Sequence, residues 1–287
     1  MKIHGYIGIL IIVFVKVTLI FQVQPFISWT TPTAWTGYIL LVDAIIYRLK
    51  GQSLICHRPK KFLTLLPLSI VLWVIFELYN LHLVNWEYIN LPGNMALRLF
   101  GYCWSFATII PAIVLTSELL ETLHLFDKAR MKAVHVTRNA LYFWIVIGLV
   151  FLIAPLLFRQ SIAVYLFGLV WVGFILVLDP LNKIVGRPSL FGDLENGKLD
   201  TILSLMVAGY VCGLFWEFWN YWAHTKWIYT FPITQNIKYF EMPVVGFLGF
   251  GPFALELFGM YHFSVFLKRK AFREEIRLSE KVQNRYP

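Results

Sequence analysis

Glu217 stands in the aromatic run Phe215-Trp216-Glu217-Phe218-Trp219-Asn220-Tyr221-Trp222. Glu217 and Asn220 are three apart and Tyr221 is four from Glu217, so on a helix the three share a face. A carboxyl group held among apolar side chains has its neutral form favoured, because desolvation opposes the charge. A neutral carboxyl can hand a proton to a weak base such as an alkene. The negative π faces of Trp216 and Trp219 attract the cation that results. An acid walled by indoles is therefore suited to proton-initiated carbocation chemistry. The plainer reading of the aromatics is an interfacial belt at the end of a membrane span.

The same pattern stands earlier in the chain. Glu77-x-x-Asn80 matches Glu217-x-x-Asn220, and Trp86-x-Tyr88 matches Trp227-x-Tyr229. Two more acids recur. Glu118 matches Glu256, and Asp43 in Trp35-Thr-Gly37-Tyr-Ile-Leu-Leu-Val-Asp43 matches Asp179 in Trp171-Val-Gly173-Phe-Ile-Leu-Val-Leu-Asp179. The offsets are 136 for the aspartates, 140 for the first glutamate pair and 138 for the second. Self-similarity at a near-constant period marks a repeat. Acids inside apolar segments are costly, which makes each of them a candidate for function. Glu217, Glu256, Glu77 and Glu118 are the candidate catalytic acids. Asn220, Asn80, Trp216, Trp219, Tyr221, Trp227 and Tyr229 are the candidate substrate contacts. For Glu256 and Glu118 the competing reading is a buried acid that ties helices together. For Asp43 and Asp179 it is pairing with Arg48 or Lys183.

The elements that must carry these residues follow from composition. The 287 residues are 59% hydrophobic and only 14% charged, against about 25% charged in soluble domains. The chain reads as an all-α, polytopic membrane helix bundle. Apolar runs of spanning length fall at 6–23, 33–49, 62–81, 97–120, 139–158, 162–178, 201–222 and 243–267. These eight spans divide into two four-helix repeats, 1–121 and 139–267, joined by a basic connector at 122–138. A basic tail follows at 268–287, read as a solvated helix. Repeats with an even number of spans are parallel, related by an axis along the membrane normal. The first span lacks a small-x-small cleavage site and carries Lys16, so it reads as a retained helix.

Twenty of the 25 Lys and Arg fall on one side of these spans. By the positive-inside rule both termini are cytoplasmic, in a multi-pass protein of the cell membrane. This bias accounts for the net charge of +9 and leaves no call for a nucleic-acid partner. Cys56, Cys103 and Cys212 have no metal or disulfide spacing. The seven histidines make no His-x-x-His or His-x-x-x-His pattern, so neither a metal nor a cofactor is expected. There is no phosphate-cradling loop and no nucleophile elbow.

The order of these motifs resembles the small membrane-embedded lycopene cyclases of the heterodimeric or fused type. That family is itself built from two similar helical units. Trp216-Glu217 matches its Trp-Asp pair, with Glu for Asp. Lys226-Trp227-Ile228-Tyr229-Thr230-Phe231-Pro232 is similar to its Gly-Ile-Trp-x-Phe-x-Pro segment. Pro252-Phe-Ala-Leu-Glu256 is similar to its Pro-x-Glu-Glu segment, with a longer spacing and with Leu257, like Leu119 in the first copy, where a second Glu would stand. The resemblance covers about half the chain, chiefly 62–121 and 201–262. It implies a cyclase-like or hydratase-like enzyme of carotenoid biosynthesis, an isomerase or lyase acting on a membrane lipid or isoprenoid. A proton-coupled carrier and a non-catalytic membrane subunit are the alternatives from other classes.

Overall fold

The computed structural model describes residues 1–283, with side chains through 271. The chain is mainly helical. Its elements are α1 (Ile3–Ile20), α2 (Thr30–Lys50), α3 (Leu54–His57), α4 (Pro59–Leu83), β1 (Trp86–Ile89), α5 (Met95–Ala107), α6 (Ile109–Thr122), α7 (Arg138–Leu157), α8 (Gln160–Ala163), α9 (Phe167–Ile184), α10 (Leu190–Glu195), α11 (Asp200–Trp222), β2 (Lys226–Tyr229), β3 (Lys238–Tyr239), β4 (Met242–Pro243) and α12 (Phe250–Gln283). Among the described residues, seven helical stretches are long and apolar enough to cross a membrane, with α5–α6 counted as one and the last running Val244–Ala271. They fit a multi-pass membrane protein. The expected span at 33–49 is helical as α2, but that helix carries Asp43, Arg48 and Lys50 and is largely buried against its neighbours.

Local chemistry sets the helix ends. Gly51, at φ +74°, closes α2 with its N–H on the Tyr47 carbonyl, a left-handed position that suits glycine. Pro59 opens α4, where a missing N–H costs nothing. Ser53 and Ser189 cap α3 and α10 with their hydroxyls. Pro111 cannot donate to the Ala107 carbonyl, and the helix breaks between α5 and α6 at Thr108. Ser69 of α4 mends the break: its hydroxyl donates to the Phe106 carbonyl and accepts the Ile110 N–H.

Two boundaries differ from the sequence reading. The expected span at 162–178 starts later and ends later. Val164–Leu166 turn the chain after α8, and α9 then runs from Phe167 through Pro180 to Ile184. The last span is irregular at its start. A 3₁₀ turn covers Val244–Gly249, and the α-helix begins at Phe250, two residues before Pro252. The tail begins inside α12, and the side chains from 272 on, which the solvated-tail reading concerns, lie outside the described residues.

Helices α1 and α7 are outer helices, rich in exposed apolar side chains. Each crosses one inner helix, α1 on α2 and α7 on α9. Both crossings are glycine contacts. A Cβ on Gly8 would sit 2.6 Å from the Gly37 carbonyl oxygen, and one on Gly148 would sit 2.8 Å from the Gly173 oxygen. Close approach of this kind is how helices pack in lipid, where no hydrophobic force separates protein from solvent. The interior is built by α2, α4, α6, α9, α11 and α12, with α11 packed on both α6 and α12.

The strands were not foreseen. β1 and β2 pair antiparallel, with Trp86 opposite Tyr229 and Tyr88 opposite Trp227. They join the loop after α4 to the loop after α11.

Candidate functional site

Asn80 and Asn220 hold the two strands to the helix ends. The Asn80 amide donates to the Trp86 carbonyl at 2.8 Å, and its oxygen accepts the Asn85 N–H at 2.8 Å. The Asn220 amide donates to the Trp227 carbonyl at 2.8 Å and accepts the Trp227 N–H at 3.0 Å. Both asparagines are thus committed to the backbone. They position the strands.

Each strand then lowers a tyrosine onto the glutamate one helical turn before its asparagine. Tyr88 donates to Glu77 Oε1 at 2.6 Å, and Tyr229 donates to Glu217 Oε1 at 2.7 Å. Burial, and after it the neighbouring carboxyl, pushes both tyrosine hydroxyls well above their ordinary range. They therefore remain donors. The Trp227 indole donates to the Tyr229 oxygen at 2.9 Å and completes a short chain of bonds.

The two glutamates differ in what surrounds them. Glu77 is half-buried, and its Oε1 collects three donors: Tyr88, the Trp73 indole at 2.8 Å and the Trp86 indole at 3.3 Å. Glu217 is 0% exposed, and its Oε2 is buried with no hydrogen-bond partner among the described residues. Glu217 forms part of the wall of a cavity of about 160 Å³. About half of the residues in that wall are aromatic, Trp35, Trp73, Trp86, Trp216, Trp227 and Phe253 among them, and Arg98 and Lys226 also border it. Trp35 packs at 5.1 Å from Trp216 and edge-on to Trp219, so α2 contributes to the same aromatic cluster.

The remaining candidates are dispersed. Trp216, Trp227 and Tyr229 line the cavity. Trp219 is buried behind it, stacked on Phe215 and against Trp35. Tyr221, expected on the Glu217 face, points outward and is exposed, packed with Trp222 and Phe240. It stands one turn beyond Glu217, next to the end of α11 at Trp222. Glu256 is 0% exposed and neither oxygen has a partner among the described residues, yet it is not part of the aromatic wall. Glu118 is at the other end of the bundle, paired with Lys50 at 2.9 Å and Arg58 at 2.6 Å.

The aspartates serve the short helices. Asp179 accepts the Leu190 and Phe191 N–H groups at 2.7 and 2.8 Å, the free donors at the start of α10. Asp43 accepts the Ile55 N–H at 2.9 Å with one oxygen and meets His4 Nε2 at 3.0 Å with the other. The expected pairing of Asp179 with Lys183 is replaced by one between Lys183 and Glu195. Trp73, Tyr88, Trp35 and Phe253 belong to the site and were absent from the sequence-based selection. Tyr88 was legible in Trp86-x-Tyr88. Trp73 was also within reach, since it precedes Glu77 by four residues, one helical turn.

No family model matches the chain, and neither a curated protein nor a solved structure matches it.

Proposed function

We propose that this protein is a membrane enzyme that acts on an isoprenoid or carotenoid-type lipid by proton-initiated chemistry, with Glu217 as the acid. The observation that carries the reading is the placement of Glu217: fully buried, anchored through one oxygen by Tyr229, with the other oxygen unpartnered, in the wall of an aromatic cavity. A protonated Glu217 gives its proton to one carbon of an alkene, and the π electrons form the new C–H bond. The cation on the other carbon is attracted by the indole faces around it and closes onto a second double bond. The Glu217 carboxylate then takes a proton from a carbon next to the final cation and is restored. Atoms and charge balance as an isomerisation; if water attacks the cation instead, the bound oxygen gives one proton to the Glu217 carboxylate, which restores the acid and leaves the hydrated product. The apolar wall supports a lipophilic substrate over the polar solute of a carrier.

The same reading arranges the chain as eight spans in two parallel four-helix repeats, with both termini cytoplasmic. The paired glycine crossings, the paired asparagine clamps and the paired tyrosine–glutamate bonds support it. So does the sheet. Residues of β1 face β2 with Glu87 opposite Ile228, and Trp86 and Tyr88 opposite the counterparts of each other. An antiparallel pair of equivalent strands is what a two-fold axis along the membrane normal produces.

The test is expression of the chain in a host that accumulates a linear polyene, followed by chromatography of the extracted pigment. The expected result is conversion to a cyclised, isomerised or hydrated product. Unchanged pigment, together with no lipid retained in the purified protein by mass spectrometry, would overturn the proposal.

A further inference from the structure

A second cavity, of about 510 Å³, lies at the basic end of the bundle. Its walls combine Lys50 and Gln52 after α2, Arg58 and Lys61 of α4, Glu118 and Glu121 of α6 and the α12 residues around Tyr261 and His262. The two cavities share their helices in a fixed order. On α12, Phe250 and Phe253 line the aromatic cavity and Ala254, Leu257, Phe258 and Tyr261 line the charged one. These six positions follow one another at steps of three, one, three, one and three residues, which makes a single stripe on one helix face. Phe106 at the end of α5 and Ile109 at the start of α6 line the first cavity, and Ile110 and Ile113 of α6 continue the stripe into the second. On α4 and α11 the order along the chain is reversed, as it must be for helices running the other way: Lys61 and Leu205 line the charged cavity, Phe76 and Trp216 the aromatic one. The cavities are therefore stacked end to end along one groove of helix faces, with buried side chains such as Ala254 and Ile110 between them. From Phe250 to Tyr261 the groove follows α12 for about 17 Å at roughly 1.5 Å per residue.

The ends of this groove differ in chemistry. At the charged end three cations, Lys50, Arg58 and Lys61, face two carboxylates. Lys50 and Arg58 converge on a single oxygen, Glu118 Oε1. Lys61 lies 5.3 Å over the Tyr261 ring and has no carboxylate within ion-pair distance among the described residues. Arg and Lys held together in this way offer the forked and point-charge donors that phosphate oxygens take. We infer that the two cavities form one site for an amphiphile, with a phosphate-type head between Lys50, Arg58 and Lys61 and an apolar chain running up to the aromatic chamber. The inference shares with the proposed function the idea that the aromatic chamber holds the apolar part of a lipid. It does not require Glu217 to react.

The test is a binding measurement on the full chain in detergent, by native mass spectrometry, with a C20 prenyl phosphate, the matching C20 prenyl alcohol and inorganic phosphate as probes. The prenyl phosphate should bind one per chain and about ten-fold more tightly than the alcohol, the scale of one charge-assisted hydrogen bond. Lys61→Gln should remove that preference while leaving alcohol binding unchanged. Arg58→Gln should do the same, and Lys61→Gln stands alone if release of Glu118 disturbs folding. Phe253→Ala should weaken both lipids alike. Equal binding of phosphate and alcohol, or a preference that survives Lys61→Gln, overturns the anionic head. Inorganic phosphate bound as tightly as the prenyl phosphate overturns the amphiphile. Repeating the measurement with Glu217→Gln separates this inference from the proposed chemistry: a variant that is inactive yet binds leaves the groove standing.

Discussion

Glu77 and Glu217 occupy matching places on α4 and α11, yet only Glu217 has a second oxygen that is buried without a partner among the described residues. Around Glu77, three donors close on one oxygen of a half-buried carboxyl. Around Glu217, Tyr229 fixes one oxygen and the other is buried without a partner. The first arrangement is a tie between helix and loop. The second keeps an acid in place without using it up. The contrast extends to the lower acids: Glu118 is an ion-paired group at the charged cavity, whereas Glu256 is enclosed. Matched positions in a sequence can thus sit in different surroundings, one carboxyl half-buried under three donors and the other fully buried with one.

The largest effect is expected where the two halves should behave alike. Gly8→Leu and Gly148→Leu each drive a side chain into backbone at under 3 Å, and overpacking of that kind costs about 1–3 kcal/mol or more. Both should lower the thermal unfolding midpoint in detergent by similar amounts. A large loss at one and none at the other would break the equivalence of the α1–α2 and α7–α9 crossings.

Next come the tyrosines, where the halves should differ. Tyr229→Phe removes the anchor of a fully buried carboxyl and should cost about 2 kcal/mol. Tyr88→Phe leaves the Trp73 and Trp86 indoles on Glu77 and should cost about 1 kcal/mol or less. Equal losses would mean that the two carboxyls are held alike. The smallest effect is expected at the aspartates. Asp179→Ala strips two backbone N–H groups of their acceptor and should cost about 1 kcal/mol, with Asp43→Ala below it, since only one backbone N–H depends on Asp43 and its other partner is the His4 ring. The reverse order in unfolding measurements would contradict the capping account of Asp179.

Much of this was legible in the sequence. Apolar runs located the helices, because a spanning helix must satisfy its own backbone bonds and show apolar side chains. The offset between Asp43 and Asp179, and between Glu77 and Glu217, placed the acids on corresponding elements. The β1–β2 sheet was hidden because each strand is four residues long and its partner lies about 140 residues away. Periodicity reports on a single element and is silent about pairing at that distance. The backbone bonds of Asn80 and Asn220 were hidden for a related reason. Their bonds go to loop backbone, and no side-chain spacing records that. The orientation of Tyr221 shows the limit of the i, i+4 argument: it joins Tyr221 to Glu217 along a row, while the aromatic wall is set by where the neighbouring helices approach. The charged cavity was out of reach, since Lys50, Arg58 and Lys61 come from different elements than Glu118.

The central claim is that Glu217, and not its counterpart Glu77, delivers the proton. The direct test is a side-by-side comparison of Glu217→Gln and Glu77→Gln in the polyene-accumulating host, with product measured by chromatography and folding checked by the yield of purified protein. Glutamine keeps the shape and a hydrogen-bonding group but has no acidic proton. Glu217→Gln should lower product by about 100-fold or more, the scale of general acid catalysis, while Glu77→Gln retains product within about ten-fold of the original. Equal losses, or full product from Glu217→Gln, would contradict the account.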